Sequence, residues 1–216
     1  MLRRLLLIGD VHAEATRLAH VLAHAARSRP DAILCVGDIV DGAEDAPRCI
    51  ELLRDHDVAT VRGNHERWLL AGTPFEPYDG PAWTLAWLAA LPTTRRFETV
   101  AGPLLLGHGV GARDMANLRP DDEGYALASN SALAALVAER TCAIFVGGHT
   151  HRRMVRRFDD LLVVNPGTLA RHDQPGFLEL DLAAGVGHWF RVGLDGVTAD
   201  GALALAQVPR EPAPRP

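Results

Sequence analysis

The chain has 216 residues and 23.3 kDa, enough to bury a sizeable core in one domain without disulfide or metal staples. With 48% hydrophobic residues, 23% charged residues and a mean hydropathy of +0.02, its composition is globular and excludes a disordered chain. The net charge of −5 excludes a non-specific nucleic-acid binder, which needs a basic face, although bound divalent cations would invert the local sign where an anionic substrate docks.

The cysteines Cys35, Cys49 and Cys142 are odd in number and widely spaced, which suggests buried thiols in a reducing compartment and not a disulfide frame. The basic start MLRRLLLIGDVH invites a signal-peptide reading, but its apolar run is short, lacks a small-residue cleavage site and ends in charge. No run is long enough to cross a membrane, so the expected location is cytoplasmic, with no membrane partner.

In chain order, four consecutive aliphatics from Leu5 to Ile8 predict a buried strand that stops at Asp10 and His12. Leu18, Val21, Leu22 and Ala25 give a helical period over residues 13–29. A strand over Asp31 to Val36 closes at Gly37-Asp38, a helix follows over Pro47 to His56, and a short strand over Val58 to Val61 leads into Arg62-Gly63-Asn64-His65. Strands alternating with helices favour parallel pairing and right-handed crossovers. Residues 66–92 break the pattern: two helix-like pieces flank TPFEPYDG and carry Trp68, Trp83 and Trp87. This helical insertion reads first as core packing and second as a cap over the ligand loops.

From Thr94 the texture changes to short strands at Arg96 to Val100 and Pro103 to Leu106, then a helix over Ala128 to Glu139 and a strand over Ala143 to Val146. Further strands are expected at Met154 to Phe158, Leu161 to Val164, Gly176 to Asp181 and His188 to Val192, antiparallel or mixed. Residues 1–208 are expected to form one domain, and 209–216 an extended, poorly ordered Pro-rich tail.

One grammar recurs along this chain: an apolar run, a glycine, then metal-type ligands. Collected, the strand-end loops supply Asp10, His12, Asp38, Asn64, His108, His149 and His151. Two carboxylates, one amide oxygen and four imidazoles are too many for one tetrahedral zinc and suit two ions, with Asp38 the natural bridge. Mixed nitrogen and oxygen donors favour manganese, iron, zinc or cobalt over magnesium. His20, His24, His56 and His188 lack the grammar and read as structural or exposed; His172, near the Asn165 turn, is the one other histidine that could lie close to the site.

Asp10-x-His12, Gly37-Asp38, Gly63-Asn64-His65-Glu66, Gly107-His108 and Gly148-His149-Thr150-His151 resemble, in this order, the five signatures of the calcineurin-like metallophosphoesterase superfamily. The resemblance implies an α/β fold, a four-layer α/β/β/α sandwich with two mixed sheets and the ligands on loops at one edge. It implies one divalent ion on Asp10, His12, Asp38 and His151, a second on Asp38, Asn64, His108 and His149, and attack on phosphorus by a hydroxide bridging the two. His65 would be the general acid, oriented by Asp41, which matches a carboxylate of the protein serine/threonine phosphatase branch. Where that branch has a phosphate-clamping arginine this chain has Gly42, which speaks against protein phosphatase activity. Arg67 and Arg113 are candidate replacement anion contacts.

The short length and the Asn165-Pro166-Gly167-Thr168 turn are more similar to the small bacterial and archaeal phosphodiesterases of the superfamily. The expected activity is hydrolysis of a small or nucleotide-like phosphodiester or phosphomonoester. A narrower alternative is a hydrolase of dinucleoside polyphosphates such as diadenosine tetraphosphate, with the tryptophan-bearing insertion stacking a base. A remote one is a non-catalytic protein-binding scaffold, against which the complete ligand set argues.

Overall fold

Alternation inside the apolar runs sorts the molecule into layers, in a computed structural model that describes residues 1–214. In β1 (Arg4–Ile8), Leu5 and Leu7 face one core while Leu6 and Ile8 face another, so both sides of the strand are dry. β5 (Gly102–Leu106), β6 (Ile144–Val146) and β8 (Leu161–Asn165) do the same, with Leu104, Leu106, Ile144, Val146, Leu162 and Val164 on one side. Leu105, Phe145 and Val163 take the other side. A strand buried on both faces has no polar face to show, which is why these segments read as unbroken aliphatic runs.

Two six-stranded mixed sheets result. The first has the order β11-β10-β9-β1-β2-β3, adding β2 (Ala32–Cys35), β3 (Ala59–Thr60), β9 (Gly176–Asp181), β10 (Val186–Val192) and β11 (Val197–Ala204). β1, β2 and β3 pair in parallel, while β9 joins β1 antiparallel, Leu7 opposite Leu178. The second has the order β12-β7-β8-β6-β5-β4, adding β4 (Arg95–Thr99), β7 (Met154–Phe158) and β12 (Arg210–Glu211). The first core lies between the first sheet and the helices α1 (Ala15–Ser28) and α2 (Ala46–Asp55), where Leu18, Val21, Leu22, Ile50 and Leu53 are buried. The second lies between the sheets, and the third between the second sheet and a helix over Ser131–Glu139 through Leu133 and Leu136. This is the four-layer α/β/β/α sandwich.

The expected insertion resolves into α3 (Asn64–Leu70) and α4 (Ala82–Ala90), so the first helix begins at a candidate metal ligand, ahead of the helix-like piece expected from Trp68. Leu88 is fully buried and Trp87, Leu69, Tyr78 and Leu91 pack on the first core, whereas Trp83 is 37% exposed with the Arg54 guanidinium 4.5 Å from its ring. A short helix, α5 (Gly124–Ala128), precedes α6 (Ser131–Glu139), whose cap is Asn130 accepting from the Leu133 N–H.

The tail departs from the sequence reading. Arg210–Glu211 forms β12, parallel to β7 with Arg210 opposite Arg157, and Ala213 packs on the third core. The cause is Arg156, only 7% exposed, whose guanidinium donates to both Glu211 carboxylate oxygens. A buried guanidinium needs a carboxylate, and this one draws the chain back onto the sheet. Residues 215–216 of the expected tail lie outside the described residues.

Candidate metal centre

Each candidate ligand sits just past the end of a strand, and the backbone fixes the loops before any side chain is considered. The N–H groups of Val11 and His12 donate to the Asp38 carbonyl at 2.9 and 2.8 Å, and the Asp10 carbonyl receives Leu169 N–H and Thr168 Oγ1, both at 2.8 Å. Loops after β1, β2 and β8 are thereby tied to one another. His12, Asp38, Asp41, His149 and His151 have φ of 46°, 45°, 58°, 67° and 57°, a left-handed backbone that costs energy in a non-glycine residue and collects at functional sites. The motif glycines leave room: a Cβ on Gly63 would stand 2.1 Å from Asp38 Oδ1, and one on Gly148 2.8 Å from Asp10 Oδ2.

The structure brings all seven candidate ligands to one place. His12 Nε2 lies 2.9 Å from His151 Nε2, while His108 Nε2 lies 2.9 Å from Asn64 Oδ1 and 3.1 Å from Asp38 Oδ2. Asp10 Oδ1 is 3.6 Å from His108 Nδ1, and its carboxylate accepts the His149 N–H at 3.0 and 3.1 Å. Potential ligand atoms fall into two clusters, His12 with Asp38 and His65, and Asp38 with His108 and His149, each spanning no more than 4.8 Å. Asp38 belongs to both.

Three imidazoles are aimed by an acceptor on the far nitrogen. His12 Nδ1 donates to the Asp41 carbonyl at 2.9 Å, His108 Nδ1 to the Val36 carbonyl at 2.8 Å and His151 Nδ1 to Asp173 Oδ2 at 2.8 Å. Each bond sets the tautomer and leaves Nε2 free to bind a cation. Two such lone pairs facing each other, with a carboxylate shared between two clusters, is a donor set that fits a pair of divalent ions.

Asp38, Asn64 and His108 are each 1% exposed. Burial pushes the Asp38 carboxyl up, but His108, then His65 and His12, hold it well below the usual range. Burial pulls His108 down, yet Asp38 and Asp10 carry it up to about 10. His12 is lowered by burial despite Asp10 and Asp38, and His149 is lowered by burial and by His108. The pattern is that of anionic oxygens asking for positive charge in a dry site.

His65 is held differently. Its Nδ1 donates to Asp41 Oδ2 at 2.7 Å, its backbone N–H to Asp38 Oδ1 at 3.0 Å, and its Nε2 looks towards Asp38 Oδ2 at 3.9 Å. Asp41 therefore aims two histidines, His12 by its carbonyl and His65 by its carboxylate. Of the two arginines, Arg67 projects beside the centre but its Nε is bound to Asp114 at 2.6 Å. Arg113 donates to Ser131 Oγ at 3.2 Å, directed towards α6 and not towards the ligands. A Cβ on Gly42 would stand 1.8 Å from the His12 carbonyl oxygen, so an arginine there would displace the ligand loop. His172 lines a cavity of about 560 Å³ together with His151, Arg152 and Gln174, which puts it beside one candidate ligand.

Two supporting carboxylates were not singled out from sequence. Glu66, fully buried, accepts the N–H groups of Asp38, Ile39, Val40 and Gly63 at 2.9, 2.6, 3.1 and 2.8 Å. Burial first and the Asp38 charge second push it up to about 7, against those donors. Its signal was legible: a glutamate at the third helical position reaching back to the residue before the helix. Asp173, the partner of His151, carries no such signal, because its 22-residue separation follows only from the loops meeting in space.

Residues 4–185 match the model of the calcineurin-like phosphoesterase superfamily domain. The chain is 36% identical over 70 residues to serine/threonine-protein phosphatase 1 of Salmonella typhimurium, a match spanning 32% of each protein. Its fold is similar to a metallophosphoesterase from Sphaerobacter thermophilus (TM-score 0.67, 21% identity, 89% of each chain covered). It is also similar to the phosphoesterase Yfce from E. coli (TM-score 0.57, 18% identity, 94% of this chain and 99% of that one). With the family match running through the loops that carry all seven candidate ligands, the chain belongs to the calcineurin-like phosphoesterase superfamily.

Proposed function

We propose that the protein hydrolyses a small phosphodiester or phosphomonoester at a centre of two divalent ions, held by Asp10, His12, Asp38 and His151 on one side and by Asp38, Asn64, His108 and His149 on the other. The carrying observation is that two ligand clusters share one carboxylate, Asp38. Bound there, two such ions would supply an activated water as nucleophile and a charge clamp on the phosphoryl oxygens. Manganese, iron, zinc and cobalt all suit the mixed donors.

The chain's own residues do the rest. His65, with Nδ1 committed to Asp41, presents Nε2 to the centre and carries the proton for the departing oxygen. Asp41 keeps that ring aimed, and Gly63 lets the loop pass close to Asp38. Arg67, on α3 two residues after His65, is better placed than Arg113, whose guanidinium is turned to Ser131, to meet an anionic substrate. Protein phosphatase activity, suggested by the Salmonella relative, is disfavoured by the Gly42 loop, which has no room for a clamping side chain.

An aryl phosphodiester with each of the four metals in turn tests the reading. Turnover with at least one, and its loss by roughly 10³-fold or more in Asp38→Asn, is expected. No hydrolysis with any of them would overturn it. Diadenosine tetraphosphate beside the simple diester separates the narrower dinucleoside polyphosphate reading from the general one. We place the protein in the cytoplasm; its three cysteines are unpaired and, among the described residues, no helix is long and apolar enough to cross a membrane.

A further inference from the structure

The insertion contributes something besides packing, on the outer side of His65. Trp68, on α3, meets the His65 ring edge-on with centroids 4.9 Å apart, and Phe75, from the loop between α3 and α4, approaches it at 5.5 Å. The two aromatic rings meet each other at 5.1 Å, nearly perpendicular. Phe75 is 71% exposed although phenylalanine is among the residues most often buried. It is not a loose side chain on a loose loop: the N–H groups of Phe75 and Glu76 donate to Asp41 Oδ2 and Oδ1 at 3.4 and 3.1 Å. The carboxylate that orients His65 thus also holds the phenyl ring in place.

We infer that Trp68 and Phe75 form the leaving-group subsite and select phosphate esters whose alcohol carries a flat aromatic ring. The inference rests on the hydrolase reading above, because it takes His65 as the group that meets the departing oxygen. An alcohol protonated at His65 Nε2 leaves on the His65 side of the centre. Trp68 and Phe75 are the aromatic neighbours of that imidazole outside the ligand set. A flat ring laid against Phe75 covers apolar surface that otherwise faces water and gains stacking geometry that an alkyl group lacks. The chemistry is common to a nucleoside and to a simple aryl group.

The test uses the full chain supplied with manganese. Phenyl phosphate and ethyl phosphate are assayed with wild type, Phe75→Ala and Phe75→Leu, and the phenyl-to-ethyl ratio of kcat/KM is compared, which cancels the intrinsic reactivity of each ester. Loss of one stacking contact lowers that ratio by roughly fivefold to tenfold in both variants. Independently of turnover, tryptophan fluorescence is titrated with adenosine monophosphate and with ribose 5-phosphate, which has the phosphate without the ring. Quenching by the first and not the second, lost in Trp68→Phe, is expected. Equal ratios in wild type and both variants, with equal binding of the two phosphates, would overturn the inference while leaving the hydrolase intact. Ring-dependent binding without turnover under any metal would overturn the hydrolase reading and the leaving-group role with it, leaving only an aromatic-binding site at Trp68 and Phe75. A changed phenyl ratio with no preference for adenosine monophosphate assigns the subsite to aryl groups alone.

Discussion

The two sides of His65 are built on opposite terms. Towards the candidate metal ligands, Asp10, Asp38, Asn64 and His108 are each at most 1% exposed, and main-chain hydrogen bonds lock the loops that carry them. Towards solvent, Phe75 is 71% exposed, and the main chain at Phe75 and Glu76 is held by one carboxylate, that of Asp41. The inner side is over-determined, so several residues can be held in a left-handed backbone; the outer side is adjustable, with few bonds to remake. Fixed ligands with an adjustable rim is the arrangement by which one fold serves many esters.

His65 stands on the boundary, and its substitution is the largest effect expected outside the seven candidate ligands. His65→Asn should lower kcat by about 10²- to 10⁴-fold, the range for loss of a positioned proton donor. Metal content per chain, measured on the same preparation, should stay at the wild-type value. If an ion is lost with the imidazole, His65 belongs to the inner side as a ligand beside His12 and Asp38, and the boundary moves outward.

Glu66 measures how much of the inner rigidity comes from one side chain. Glu66→Ala strips the acceptor from the N–H groups of Asp38, Ile39, Val40 and Gly63 in a site without solvent. Water entering the gap will recover part of this, leaving a net loss of about 3 kcal/mol. For a chain of this size that lowers Tm by roughly 6–12 °C, readable by thermal melting. A shift below about 2 °C would mean the loops hold themselves.

What could be read beforehand follows the same division. Doubly buried strands announce themselves as aliphatic runs, and glycine followed by Asp, Asn or His marks their ends, so β1, β2, β5, β6 and the loops of candidate ligands behind them were legible. The Val197–Ala204 strand was missed because it is an edge strand interrupted by Gly201, with mostly exposed or half-buried residues, and β12 because a Pro-rich stretch conceals an ion pair with Arg156. Arg113 was offered as an anion contact on proximity in sequence to His108, but the turn over Val110 to Arg113 sends it to Ser131. The tryptophans of the insertion were read as one group. In space they divide, Trp87 onto the core, Trp83 under Arg54 and Trp68 onto His65: Trp68 belongs to α3, while Trp83 and Trp87 share a face of α4 one turn apart, the one towards the rim and the other towards the core.

The smallest effect tests whether charge contributes to the inner frame at all. Glu14, 2% exposed at the start of α1, accepts from the Arg171 backbone N–H at 2.9 Å and from Arg171 Nε at 2.7 Å, and pairs with Arg17. It thereby ties the loop carrying Asp10 and His12 to the loop carrying Asp173. Burial pushes its carboxyl up, but Arg171 and then Arg17 win and bring it below the ordinary glutamate value. A carboxyl lowered by folding gives stability that is present above its unfolded value and drains away as pH falls through the folded one. Glu14→Gln keeps the shape and removes the charge. At pH 6 its Tm should lie about 2–4 °C below wild type, equivalent to roughly 1 kcal/mol. As pH falls through the lowered folded value the two melting curves should converge, since protonation makes wild type resemble the variant. A gap that stays constant down to acid pH would assign the contribution to packing and hydrogen-bond geometry, and would leave backbone bonding as the main restraint on the ligand loops.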